Sequence, residues 1–167
     1  IQDLAEYPIS FPINHGSAQP TYTQQHILLT GATGYLGSHL LYELLKQSTA
    51  TVYCLVRPSK LMEPYARLEQ IMTGYFGEDV KSRMDKRVIA IQGDLEQEFL
   101  GLGDQDRAMI EARIDSIIHC GAEVKHFGDS DYFARVNVES TDRLLALAQR
   151  RPHIRFHFIS TLGIPED

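Results

Sequence analysis

Little in this sequence would serve a membrane, a nucleic acid or a metal. No apolar run approaches the roughly 20 residues needed to cross a bilayer. The first residues also lack the basic stretch and apolar core of a signal peptide, so a cytoplasmic protein is expected. Basic residues are in deficit: 16 Lys and Arg stand against 22 Asp and Glu, a formal net charge of -6. Surfaces that bind phosphate backbones are ordinarily basic, which argues against a nucleic-acid partner. Only two cysteines occur, Cys54 and Cys120; each falls in an apolar, strand-like run without a C-x-x-C pairing, and both read as small core residues. Among the histidines, His119, His126, His153 and His157 form no helical pair with a carboxylate of the kind zinc requires, so no metal is expected. Glu96, Glu98, Asp104 and Asp106 read as a solvated loop and helix cap rather than an acid–base pair.

What is present suits one globular domain: 167 residues, 43% of them hydrophobic, are enough to bury a core. Residues 1–25 hold three prolines and no sustained periodicity, and read as an arm or interdomain linker. From His26 to residue 167 the pattern changes. The runs HILLT (26–30), TVYCLVR (51–57), RVIAIQG (87–93), DSIIHCG (115–121) and IRFHFIS (154–160) have the length and β-branched content of buried strands. Between them apolar residues recur at helical spacing: Leu40, Leu41, Leu44 and Leu45, then Leu68 and Met72, then Met109, Ile110 and Ile114, then Leu144, Leu145 and Leu147. Strand and helix alternating in this way predict an α/β fold, a doubly wound parallel sheet of Rossmann type, incomplete at its C-terminal side.

The first strand runs into the stretch TGATGYLG, with Gly31, Gly34 and Gly37 at three-residue intervals after Thr30. Missing side chains let a backbone approach a pyrophosphate, and the free N–H groups of the following helix attract its charge. Gly31 is expected to make the turn, Gly34 the close approach and Gly37 the packing of helix on strand. Thr33, Tyr35 and Leu36 belong to the same cofactor-binding turn. At the end of the second strand stands Arg57, where NAD-selective sites place a carboxylate. An arginine there would attract the 2′-phosphate of NADPH. Arg67 is either a second clamp on that phosphate or a solvated helix charge. In QGDL, residues 92–95, Asp94 and the Leu95 backbone are candidates for the adenine, Asp94 having a plain turn cap as its alternative role. Gly121 and Ala122, after the fourth strand, leave room for the middle of the cofactor.

With the glycine turn, CLVR, GDL, HCGAEV, VNVES and FISTLG in order, the chain resembles the extended short-chain dehydrogenase/reductases. It looks most like their thioester reductase branch, the terminal domains of nonribosomal peptide and polyketide synthases and of carboxylic acid reductases. The segment from Ala66 to residue 127, with its GDL, the following LGL and the H-x-x-A-x-V element, is the most specific part. The resemblance implies an NADPH-dependent enzyme that releases an acyl or peptidyl thioester from the phosphopantetheine arm of a carrier protein as an aldehyde, or as an alcohol after further reduction. It implies that Thr161 is the catalytic hydroxyl, with Ser160 beside it as the fallback. It also implies that Asn137 supports the cofactor site and its active-site helix. The family's catalytic Tyr-x-x-x-Lys would lie beyond Asp167. The one such motif present, Tyr42 to Lys46, sits on the helix after the glycine turn and is not expected to be catalytic. The polypeptide as written is thus expected to bind NADPH without efficient turnover. Two other readings are a nucleotide-sugar epimerase or reductase of the extended family and a non-catalytic or redox-inactive nucleotide-binding module.

Overall fold

Side chains alternate faces along a strand, and here both faces are apolar, so both sides of the sheet must be covered. Leu29, Val52, Cys54, Val56 and Val88 fall in one buried cluster, Leu28, Tyr53, Leu55, Ile91 and Ile117 in the other. These residues belong to β1 (His26–Thr30), β2 (Thr51–Val56), β3 (Val88–Gln92) and β4 (Ser116–His119), joined at the edge by β5 (Arg155–Phe158). The computed structural model, which describes residues 24–124, 128–151 and 153–160, pairs them all in parallel in the order β3-β2-β1-β4-β5. That order places the first strand in the middle and reverses direction between β1 and β4, the switch point at which doubly wound sheets open a crevice.

The first cluster is completed by α1 (Tyr35–Gln47), α2 (Pro64–Phe76) and α3 (Val80–Met84), through Leu41, Leu45, Leu68, Met72, Val80 and Met84. The second is completed by α4 (Asp104–Arg113) and α6 (Ser140–Gln149), through Ile110 and Leu144. Before α6 come a short α5 (Ser130–Phe133) and a π-helical stretch, Ala134–Glu139, contiguous with it. The α1 helix is fixed at its C-terminal end by Arg87, whose Nη1 and Nη2 donate to the carbonyls of Ser48 (2.7 Å) and Leu45 (2.9 Å). A cation there satisfies orphan carbonyls and complements the helix dipole. The start of β1 is pinned by Asp115, whose Oδ2 accepts from the backbone N–H groups of Gln25 (2.8 Å) and His26 (3.1 Å).

Local geometry departs from the sequence expectation in four places. The fourth strand ends at His119, so Cys120 lies just past it, half-buried but packed against the first core cluster, whereas Cys54 is fully buried within β2. The α3 helix has too few residues to show a period. Residues 99–101 form a left-handed turn, with φ of 50°, 61° and 63° at Phe99, Leu100 and Gly101. Left-handed backbone costs a residue with a side chain about 1–2 kcal/mol. It is held here because Leu100 is buried in the core while its carbonyl accepts from the Asp94 N–H at 2.8 Å. The π-helical register before α6 is equally invisible to apolar periodicity.

Candidate functional site

At the switch point lies a cavity of about 270 Å³. Its floor is the turn between β1 and α1, and that turn can contain only glycine at two positions. Gly31 has φ +73°, and a Cβ on it would stand 2.7 Å from the Gly121 nitrogen and 2.8 Å from the Cys120 carbonyl. A Cβ on Gly37 would come within 2.1 Å of the Gly31 oxygen. Gly34 is the N-cap of α1, with no side chain capping the helix and no acidic residue in its first turn. The helix N-terminus is therefore left to offer its N–H groups and positive dipole end to an anion.

Thr30, Gly31, Thr33 and Gly34 line the cavity on one side, and Gly121 and Ala122 on the other, with Cys120 and Glu123 beside them. Burial pushes the Cys120 thiol up to about 11, so it stays protonated. The end toward β2 and β3 carries the charge: Arg57, Arg67, Asp94 and Leu95 all border it. Arg57 is half-exposed and reaches across the strand ends to two carboxylates. Its Nη2 lies 3.2 Å from Glu96 Oε1 and its Nε 3.6 Å from Asp94 Oδ1. Burial alone would lower its pKa, but the Tyr132 hydroxyl, Asp94 and Glu96 outweigh that and hold the guanidinium above its ordinary value. Arg67 Nη1 donates to the Arg57 carbonyl at 3.0 Å, which aims a second cation at the same end. Asp94 also caps its own turn, Oδ1 accepting from the Glu96 N–H at 3.1 Å. The turn-cap reading of Asp94 thus holds, on a side chain that also borders the cavity.

Other positions singled out in the sequence sit elsewhere. Tyr35 and Leu36 are 70% and 47% exposed and do not border the cavity. Asn137 stands behind the cavity wall and grips the Glu123 backbone from both sides, Oδ1 accepting from its N–H (2.8 Å) and Nδ2 donating to its carbonyl (3.0 Å). Tyr42 stacks on Phe76 with ring centroids 4.1 Å apart, outside the cavity lining, and Lys46 lies over its ring. Thr161 and His126 lie outside the described residues, and Ser160 is exposed.

Three residues have roles that the sequence does not reveal. Glu96 is not a solvated loop charge but the closer ion-pair partner of Arg57. Tyr132 borders the cavity, its hydroxyl donating to Glu123 Oε2 at 3.3 Å. His119 is 1% exposed, bonded on both ring nitrogens, and kept neutral by burial, which lowers its pKa to about 4. A histidine closing an otherwise apolar strand is the one signal that marks it.

A family model for NAD-binding domains, described as "Male sterility protein", matches residues 29–166. Among curated relatives, the chain is 34% identical over 163 residues to the isonitrile lipopeptide synthase of Streptomyces coeruleorubidus, covering 96% of this chain and 11% of that protein. It is 34% identical over 146 residues to fatty acyl-CoA reductase 1 of Rattus norvegicus, covering 84% of this chain and 28% of the reductase. Among solved structures, a thiolation-reductase di-domain from an archaeal non-ribosomal peptide synthetase superposes with a TM-score of 0.73 at 38% identity, covering 83% of this chain and 28% of that one. The chain thus spans less than a third of the length of each of these proteins.

Proposed function

The chain belongs to the NAD-binding family described as male sterility protein, and from that premise we propose that it is the NADPH-binding part of a terminal thioester reductase. Such an enzyme would release an acyl or peptidyl chain from the phosphopantetheine arm of a carrier protein in the cytoplasm. The observation that carries the reading is the pairing, in one cavity, of a glycine cradle at a bare helix N-terminus with two arginines, the only Lys or Arg side chains among the described residues that line it. In this reading Gly31, Gly34 and Gly37 admit the pyrophosphate to the N-terminus of α1. Arg57 and Arg67 meet the 2′-phosphate, Asp94 and the Leu95 N–H meet the adenine, and the small residues Gly121 and Ala122 leave the passage to the nicotinamide open. When bound, NADPH supplies the hydride that takes a thioester carbonyl to the aldehyde, with release of the thiol. Thr161 is proposed as the hydroxyl that stabilises the resulting oxyanion. Residues 1–25 are proposed as a linker ahead of a Rossmann domain over 26–167.

The match to an acyl-CoA reductase favours a second reading, the same chemistry on a thioester carried by free coenzyme A. One assay separates the two. The full-length protein is given NADPH with an acyl group on a carrier protein or on coenzyme A, and NADPH loss and aldehyde formation are followed. Turnover only with the carrier-bound substrate supports the first reading, turnover with acyl-CoA the second, and turnover with neither overturns both. Cofactor choice is tested by titration: NADPH is expected to bind at least tenfold more tightly than NADH, and Arg57→Ser to remove that preference. Equal affinities in the unaltered protein would remove the role given to Arg57.

A further inference from the structure

We infer that His119 is a positioning residue for the dinucleotide cavity: a neutral imidazole, its proton on Nε2, joining the two grips that hold the 121–123 segment forming one wall of the site. The inference rests on the reading of that cavity as the dinucleotide site.

His119 ends β4 directly opposite Thr30 at the end of β1. Its Nδ1 lies 2.7 Å from Thr30 Oγ1, and its Nε2 lies 3.2 Å from Thr141 Oγ1 on α6. Each hydroxyl has a further partner. Thr30 Oγ1 accepts from the Gly121 N–H at 3.1 Å, and Thr141 Oγ1 donates to the Asn137 carbonyl at 2.8 Å. A carbonyl cannot donate, so the Thr141 proton is committed to Asn137 and the imidazole must supply the proton between Nε2 and Thr141. With Nε2–H in place, Nδ1 is an acceptor, and the Thr30 hydroxyl proton points to it. Every bond in the chain is then satisfied in one direction: Gly121 N–H to Thr30, Thr30 O–H to Nδ1, Nε2–H to Thr141, and Thr141 O–H to Asn137. The other tautomer leaves the Thr30 hydroxyl proton without an acceptor here and asks one Thr141 proton to serve two acceptors.

The two ends of this chain hold the same loop. Thr30 holds Gly121, and Asn137 clamps Glu123 through both its N–H and its carbonyl. The histidine is the link between them. The Asn137 end rests on the π-helical stretch, a geometry that recurs at functional sites. Around the ring stand Thr30 from β1, Thr141 from α6, and Phe156 and Phe158 from β5, the latter ring stacked at 5.5 Å between centroids. The adjacent titratable side chain is Cys120, a protonated thiol. These surroundings favour the uncharged ring that the relay requires.

The test uses the full chain, NADPH as the probe and two readouts. Long-range ¹H–¹⁵N spectra of the histidine rings are expected to show His119 as the Nε2–H tautomer at neutral pH. An Nδ1–H or a charged ring overturns the inference. Thr141→Val, which removes the acceptor of Nε2–H from a partly buried helix position, and His119→Phe, which keeps a ring but neither nitrogen, are each expected to weaken NADPH binding about tenfold. His119→Gln, whose amide replaces the Nε2–H donor, is expected to retain more affinity than His119→Phe. A folded Thr141→Val with unaltered NADPH affinity overturns the inference and leaves the cofactor reading standing. An unaltered protein that binds no NADPH overturns the cofactor reading and this inference together.

Discussion

At the residue scale, opposite charges meet at the ends of β2 and β3. Arg57, proposed to meet a phosphate, is paired with Glu96 and Asp94. Half-exposed ion pairs are worth about 0.5–1 kcal/mol. Removing the charge of Glu96 should therefore free Arg57 at modest cost to the fold: Glu96→Gln is expected to tighten NADPH binding about two- to fivefold and leave NADH binding unchanged. Isothermal titration of both cofactors checks this, and weaker NADPH binding would mean that Glu96 orients the guanidinium more than it competes for it. His119 makes the second residue-level prediction. Its pKa falls from an ordinary 6.5 to about 4 on folding because burial disfavours the charged ring. The unfolded chain therefore takes up a proton below pH 6.5 that the folded chain refuses. The stability this residue contributes is complete above about pH 6.5 and is lost as pH falls toward 4, by up to about 3 kcal/mol. Urea unfolding at a series of pH values in this window, compared with His119→Phe, isolates the effect; identical pH slopes in the two proteins would contradict it.

At the scale of elements, the glycine turn is the least replaceable part of the structure. Gly37→Ala would place a methyl group 2.1 Å from the Gly31 oxygen, so α1 would have to move off β1. A loss of about 2–4 kcal/mol is expected, together with cofactor binding, and the thermal midpoint without ligand reads the first separately from the second. How far such elements can be read from sequence depends on what fixes them. The strands are legible because their apolar, β-branched runs answer to a local rule, and β1 begins and ends where the run HILLT does. The turn is legible because only a backbone requirement explains three glycines at that place. Three features are not: α3, the left-handed residues 99–101 and the π-helical stretch. Each is settled by packing and backbone bonding, such as the burial of Leu100 and the bond from the Asp94 N–H to its carbonyl, that leave no mark on local composition. The site divides in the same way. Gly31, Arg57, Asp94 and Gly121 can be placed by their distance from a strand end. Glu96, Tyr132 and His119 matter through partners 39, 9 and 89 residues away.

For the whole molecule, the cavity is where separate parts of the chain meet. The β1–α1 turn, the ends of β2, β3 and β4, and the stretch around Tyr132 and Val136 all contribute to its wall. A ligand bound there holds both halves of the sheet at once. At a hundred times its dissociation constant, NADPH should add about 2.7 kcal/mol to stability, a rise of about 5–10 °C in melting temperature for a domain this size. NADH at the same concentration should give a clearly smaller rise, which thermal-shift measurements can resolve. Equal shifts would detach the arginine end of the cavity from cofactor choice. The family and the parallel Rossmann-type sheet expected from the sequence are both borne out.

The left-handed turn at residues 99–101 sets the wishes of the local chain against those of the fold. Leucine resists that backbone, and glycine would relax it. Glycine at position 100, however, would empty the space that the Leu100 side chain fills in the core, while the Asp94 bond depends on the backbone staying as it is. No residue type satisfies both demands, so the turn is a point of frustration that the surrounding packing holds in place. Sequence drift at position 100 is thus penalised from two sides: toward glycine by the core, and toward β-branched residues by the backbone. The Asp94 end of the cavity inherits its shape from that stalemate.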